Sequence, residues 1–342
     1  MTHAGKAGMT SAMTEPSPGS AVARGTRLED WIGNTPIVQL RRVPGAGGAR
    51  VFAKLESQNP GGSVKARAAL AIMQAAEQSG LLDADRVLLD ASSGNTGIAY
   101  AMLCAERGYA CEICMPASAS EERKALLRAY GATLVLTSAE AGSDGAIRAA
   151  RERAAARPGR YFYADQYGNP ANVRAHFEGT GPEIWEQTDG RVTHFVAGLG
   201  TSGTFVGTGM RLRSLDPRIR LIAVQPSSGF HGIEGLKHMA TAIVPGIYDP
   251  SLVDETLFVE TEHAQIMTRR LAREEGLLAG VSGGAAVVAA LRVAASLDAR
   301  ATVVTVLPDG GERYLSESWL TAEQPESNGG EALRPVSGVR SS

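Results

Sequence analysis

The chain has 342 residues, with 34 Lys and Arg against 36 Asp and Glu, a formal charge of -2 and an apolar content of 44%. That length suggests about two domains with a sizeable core. The balanced charge leaves no basic footprint for nucleic acid, and the longest uncharged apolar-leaning stretch, Gly276 to Leu291, is too short and too rich in Gly, Ala and Ser to span a bilayer.

In chain order, residues 1–25 read as a flexible N-terminal tail rich in Gly, Ser, Thr and Pro. They lack the apolar middle of a secretory signal, so a cytoplasmic location is expected. Strand-like runs follow at Ile37–Leu40, Val51–Leu55, Arg86–Ala91, Ala110–Met115, Thr133–Leu136, His194–Ala197, Leu221–Val224 and Thr302–Leu307. Between them lie helix-like stretches at Val64–Ser79, Gly97–Arg107, Glu121–Tyr130, Asp144–Ala156, Thr204–Arg213, His263–Glu275 and Gly284–Leu297. Ser118 and Glu121 have capping-box spacing, and Gly80, Gly108 and Gly131 fall where helices should end in a left-handed residue. Alternation of this kind predicts an α/β fold with parallel sheets covered on both faces. Residues 323–342 read as a second flexible tail.

Cys111 and Cys114 have CxxC spacing, but they fall on one predicted strand. Residues three apart on a strand point to opposite faces, so the pair is expected to be two buried structural thiols and not a metal or redox site. The histidines show no HxxxH or HExxH spacing, and no metal is expected. His176 reads as a packed core histidine, while His231 and His238 flank a loop that also holds Lys237.

Three glycine loops carry the chemistry. Gly198-Leu199-Gly200-Thr201-Ser202-Gly203 matches G-x-G-x-x-G between a strand and a helix, where backbone N–H groups and a helix N-terminus can hold a phosphate. A dinucleotide site also needs an acidic residue about 20 positions on, at the end of the next strand. Gln225 stands there, which disfavours a nicotinamide cofactor and leaves the phosphate cradle, with hydroxyls from Thr201, Ser202 and Thr204. Ser92-Ser93-Gly94-Asn95-Thr96-Gly97 opens another helix and suits an amino-acid carboxylate; Gly280-Val281-Ser282-Gly283-Gly284 is a third such turn. Upstream, Lys65 stands just inside an apolar helix, where loss of water favours the neutral amine that condenses with a carbonyl.

Together these residues resemble the cysteine synthase family of pyridoxal-phosphate enzymes, the β-family of fold type II. The motifs that carry the resemblance are IGNTPIVQL (Ile32 to Leu40), KLESQNPGGSVKAR (Lys54 to Arg67), SSGNTGIA (Ser92 to Ala99), DQYGNPAN (Asp165 to Asn172), GTGPEI (Gly179 to Ile184), GLGTSGT (Gly198 to Thr204) and GVSGGAA (Gly280 to Ala286). The resemblance implies a tryptophan synthase β-like fold, two doubly wound α/β domains with the cofactor in the cleft. The smaller domain would run over residues 52–161 and the larger over 26–51 plus 162–322.

Position by position, the resemblance implies that Lys65 forms the Schiff base with pyridoxal 5'-phosphate and that Asn95 meets its ring hydroxyl. Gly200, Thr201, Ser202, Gly203 and Thr204 would hold the phosphate, and Ser282 the pyridine nitrogen. Ser92, Ser93, Gly94, Asn95 and Thr96, with Gln166 across the cleft, would hold the substrate. A neutral serine at the pyridine nitrogen disfavours a long-lived carbanion, so loss of a β-substituent competes well. The implied activity is L-cysteine synthesis by β-replacement on O-phosphoserine or O-acetylserine with a sulfur nucleophile.

The chain departs from the family pattern at Ala66, where Asp is usual, at Ser92, where Thr is usual, and at Ser202, where Gly is usual. The segment Gln225 to Asp249 resembles the B-type and phosphoserine-using branch, which makes Lys237 the expected ligand for a phosphate leaving group. A cystathionine β-synthase-like or serine dehydratase-like lyase would use the same Lys65 chemistry, and a non-catalytic regulatory partner is the rival of another class. The resemblance also implies a homodimer and leaves a serine acetyltransferase or a sulfur-carrier protein open as partners.

Overall fold

The computed structural model describes Met1, residues 25–45 and residues 48–321, so the two expected tails lie almost wholly outside the described residues. The first half of the chain runs β1 (Ile37–Gln39), β2 (Arg50–Leu55), α1 (Lys65–Gln78), β3 (Val87–Ala91), α2 (Asn95–Arg107), β4 (Ala110–Pro116), α3 (Glu121–Ala129), β5 (Thr133–Thr137), α4 (Gly142–Ala156) and β6 (Tyr161–Tyr163). The second half runs α5 (Pro170–Ala175), α6 (Gly181–Gln187), β7 (His194–Gly198), α7 (Gly203–Leu215), β8 (Arg220–Pro226), β9 (Glu255–Val259), α8 (Thr261–Arg270), α9 (Val281–Ala295), β10 (Thr302–Leu307) and α10 (Ser318–Thr321).

These strands form two sheets, one of order β1-β2-β10-β7-β8-β9 and one of order β5-β4-β3-β6. Every pairing is parallel except β1 with β2 at the edge of the larger sheet. Parallel sheets need helices on both faces, and alternate residues of single strands accordingly enter different cores. On β10, Val303 and Leu307 join one core and Val304 and Val306 another; on β4, Cys111 and Cys114 do the same. The two thiols thus lie on opposite faces, and burial pushes the Cys114 thiol up to about 11.

The expected start of the smaller unit at Phe52 falls inside β2, and that strand pairs with β10 in the larger sheet, Val304 opposite Phe52. The expected capping box is not made: helix α3 begins after Ser120, without a side-chain cap, so Ser118 lies outside its first turn. Gly80, Gly108 and Gly131 do terminate their helices in the left-handed region, at φ of 69°, 77° and 84°. Strands β6 and β9 and helices α5 and α6 were not among the expected elements. No helix of the described residues is long and apolar enough to cross a membrane.

Candidate active site

Ligand sites in parallel sheets lie beyond the carboxyl ends of the strands, where loops diverge. One cleft here collects those ends from both sheets: Ser92 to Thr96 after β3, Gly198, Thr201 and Thr204 after β7, Pro308 after β10, and Lys65 from α1 after β2. Gln166 and Ser282 line the same cleft, while Gly200, Ser202 and Gly203 belong to the same turn as Thr201.

Lys65 is placed by main chain. The amide of Val64 donates to the carbonyl of Pro308 at 2.8 Å, which pins the start of α1 to the end of β10. Loss of water pushes the Lys65 amine below its usual range, and the nearby Asp309 carboxylate opposes that only in part. Two residues along the helix, Arg67 is buried between Glu56 and Glu183, each 2.7 Å away, and Lys54 meets Glu183 at 2.7 Å. This network ties the helix that bears Lys65 to β2 and α6.

The turn before α7 has the features of a phosphate cradle. Gly200 permits its close approach to the neighbouring loop, because a Cβ there would come within 2.2 Å of the Gly235 carbonyl. Thr201 accepts hydrogen bonds from Asn172 at 3.1 Å and from the Gly203 amide at 3.4 Å, leaving its own proton to donate. Ser202 is buried and its hydroxyl has no partner among the described residues. His176 bridges Thr180 at 2.9 Å and Thr204 at 3.3 Å. Burial first, and then the Arg67 charge, hold His176 down at about 3, so it orients Thr204 as a neutral ring.

On the facing side, the Ser92 hydroxyl accepts from the amides of Gly94 and Gly97, both at 3.0 Å, and fixes the first turn of α2. Thr96 donates to Gln166 at 2.7 Å, and Gln166 donates to the Ala91 carbonyl at 2.6 Å. Asn95 donates to Asp309 at 2.7 Å and accepts from Arg313. Ser282 lies in the first turn of α9, buried at the cleft wall.

Lys237 is the exception among the expected site residues. Its ammonium pairs with Asp144 of α4 at 2.8 Å and lies over the ring of Tyr167, 5.1 Å from its centre, outside the residues that line the cleft. The cation expected to meet a phosphate is already neutralised by a carboxylate. Conversely, the cleft is lined by Arg123, Glu234 and Tyr314, with Asp309 just behind, none of which the sequence reading singled out. Asp309 was discoverable: Pro308-Asp309-Gly310-Gly311 is a fourth glycine turn following a strand. Gln225, where a dinucleotide site would have an acid, accepts from the Met239 amide at 2.9 Å and anchors the loop that holds Glu234.

An amine whose proton affinity is lowered by burial, beside a cradle for one phosphate, is what condensation with a phosphorylated aldehyde requires. The unpartnered Ser202 hydroxyl and the Gly200 contact fit such a group, which places the protein in the class of pyridoxal-phosphate enzymes built on two parallel sheets. Residues 28–309 match the family described as pyridoxal-phosphate dependent enzyme. The chain is 50% identical to a cysteine synthase of Aquifex aeolicus over 302 residues, 86% of this chain and 91% of that protein. It is 46% identical to cysteine synthase B of Escherichia coli over 289 residues, 84% and 94% of the two chains. The solved cysteine synthase of Entamoeba histolytica superposes with a TM-score of 0.82 at 34% identity, covering 94% of this chain and 96% of the other. The chain therefore belongs to the pyridoxal-phosphate-dependent enzyme family, with the fold type II architecture and pyridoxal 5'-phosphate as its cofactor.

Proposed function

We infer that the protein makes L-cysteine by replacing the β-substituent of an activated serine with a sulfur nucleophile. The observation that carries this reading is Lys65, a desolvated amine between a phosphate cradle and a loop of amides and hydroxyls sized for an amino acid. When bound, pyridoxal phosphate supplies an electron-withdrawing ring conjugated to the substrate nitrogen, which acidifies the Cα–H bond.

The chain's own residues divide the remaining work. Thr201, Ser202 and Thr204, with the first amides of α7, hold the phosphate. Asn95 and Ser282, which line the same cleft, would hold the ring of the cofactor. The loop into α2, from Ser92 to Thr96, with Gln166, holds the α-carboxylate. Lys65 takes the Cα proton as the β-substituent leaves, and gives it back once sulfur has added at the β-carbon. Its lowered proton affinity favours the neutral amine that this step needs.

In the same reading the four-stranded sheet and its helices form the smaller domain, and the six-stranded sheet the larger. A cytoplasmic homodimer completes the picture, and the apolar groove of Val173, Phe177, Met210 and Ile247 offers a face for the second copy. The test is the visible absorption spectrum of the purified protein with a cysteine-formation assay on O-acetyl-L-serine or O-phospho-L-serine plus sulfide. Lys65→Ala should abolish both the lysine-bound cofactor band and turnover. A protein that cannot be loaded with pyridoxal phosphate, or that forms no cysteine from either amino acid, would falsify the assignment.

A further inference from the structure

The loop between β8 and β9 contributes Glu234 and Gly235 to the lining of the cleft and is tied to the four-stranded unit by two ion pairs. Lys237 meets Asp144, and Glu234 meets the guanidinium of Arg123 on α3. The second pair is unequal. The Arg123 side chain is 4% exposed and that of Glu234 is 41% exposed. Packing holds the arginine: its arm crosses Gly94 so closely that a Cβ there would lie 2.6 Å from Cδ and 2.8 Å from Nε. Its guanidinium carbon sits 4.9 Å from the centre of the Tyr314 ring. Its Nε is buried and has no hydrogen-bond partner among the described residues. Arg123, Gly94 and Glu234 line the same cleft as Lys65.

A buried guanidinium stays charged and presents donors in a fixed fork that suits a carboxylate or a phosphate. Exchange of its partner is governed by the partner's own exposure. Glu234, already facing water, regains its hydration when it leaves, whereas Arg123 is desolvated whichever anion it holds. A phosphate monoester brings about -1.5 to -2 charges and three acceptor oxygens, enough to take the Glu234 position and also engage the idle Nε–H. A neutral acyl ester brings no charge and leaves the ion pair closed.

We propose that Arg123 is the specificity-determining cation for the β-substituent of the substrate, and that Glu234 is its built-in placeholder. The favoured substrate class is then an amino acid with a second, strongly acidic group on its β-oxygen. This rests on the reading of the cleft as the amino-acid site of a pyridoxal-phosphate enzyme, and it moves the anion-binding role from Lys237 to Arg123.

The test reads binding apart from turnover, by the change in cofactor absorption on titration with O-phospho-L-serine and with O-acetyl-L-serine in the absence of sulfide. Arg123→Gln should weaken O-phospho-L-serine relative to O-acetyl-L-serine by about tenfold or more, the scale of one lost charge-assisted hydrogen bond. Glu234→Gln leaves the arginine intact and should tighten O-phospho-L-serine, while Lys237→Gln should leave the ratio of the two affinities unchanged. Parallel losses for both amino acids in Arg123→Gln, an unchanged Glu234→Gln, or a ratio moved by Lys237→Gln would each overturn the proposal. A wild-type protein that responds to neither amino acid overturns the underlying reading of the cleft, and this proposal with it.

Discussion

Asn95 donates a hydrogen bond from its side-chain nitrogen to a carboxylate oxygen of Asp309, 2.7 Å away and 214 residues distant in sequence. Its own oxygen accepts from Arg313, and Tyr314 donates to the same Asp309 oxygen at 2.9 Å. The Asn95 amide is thereby held in one orientation, with one N–H left for the cleft. Asp309→Asn should lower kcat/KM by about tenfold through loss of that alignment. Because the Asp309 charge opposes the desolvation of Lys65, its removal should also move the Lys65 amine further down. The acid limb of Lys65 reactivity toward pyridoxal phosphate would shift to lower pH, measured on cofactor-free protein. A limb that stays in place would show that Asp309 acts on Asn95 alone.

Ser202 adopts φ +70°, in the left-handed region where most L-residues carry a cost of about 1–2 kcal/mol. Its buried hydroxyl, with no partner among the described residues, is the counterpart of that cost. Ser202→Gly should relieve the backbone strain, offset in part by the extra chain entropy of glycine, and raise stability by up to about 1 kcal/mol. At the same time pyridoxal phosphate should bind several-fold more weakly. Unfolding of the cofactor-free protein and equilibrium dialysis with the cofactor separate the two effects, and tighter cofactor binding in the variant would contradict the phosphate role.

Most of this architecture was legible because glycine turns and apolar runs are local signals. Eight strands and the turns before α2, α7 and α9 stand out from residue type alone, and Lys65, Asn95 and Thr201, singled out beside those turns and by the family resemblance, line one cleft. What stayed hidden depends on distant pairing. Strand β6, three residues long, is specified by its pairing with β3, and β9 by its pairing with β8. The short α5 and α6 flank a π-turn at His176–Thr180 that no helical period announces. Arg123 sits in a charged stretch, Glu121-Glu122-Arg123-Lys124, that reads as a solvated face. Burial comes from Gly94 and Tyr314 far along the chain. The Lys237 ion pair was hidden for the matching reason, since its partner Asp144 lies 93 positions away.

The network beneath Lys65 should be costly to break. Burial alone would raise the Glu183 carboxyl, but ion pairs with Arg67 and Lys54 override it and hold the group down at about 2. A carboxyl depressed in the folded state contributes stability that is present above its ordinary value near 4.5 and lost as pH falls toward 2. Glu183→Gln should remove that part of the acid sensitivity. Glu56→Ala leaves Arg67 with a missing partner in a buried site and should cost about 3–5 kcal/mol. Urea midpoints between pH 3 and pH 7 measure both, and a Glu183→Gln protein with undiminished acid sensitivity would place its origin elsewhere.

Asp90 should give the opposite slope. It is fully buried at the end of β3, where its two oxygens accept from the Ala91 amide at 2.8 Å and the Gln166 amide at 3.2 Å. Burial outweighs those bonds and raises the carboxyl from 3.8 to about 7. An acid raised in the folded state holds its proton more tightly there than in the unfolded chain. Folding stability therefore falls as pH climbs from 3.8 toward 7 and levels off above that. Asp90→Asn keeps one acceptor and cannot ionise, so it should lose about 1 kcal/mol at pH 4 for the missing acceptor. It should then gain on the wild type as pH rises, and overtake it by pH 8. Denaturant midpoints at pH 4, 6 and 8 decide the matter: curves for the two proteins that run parallel would mean that Asp90 does not titrate in this range.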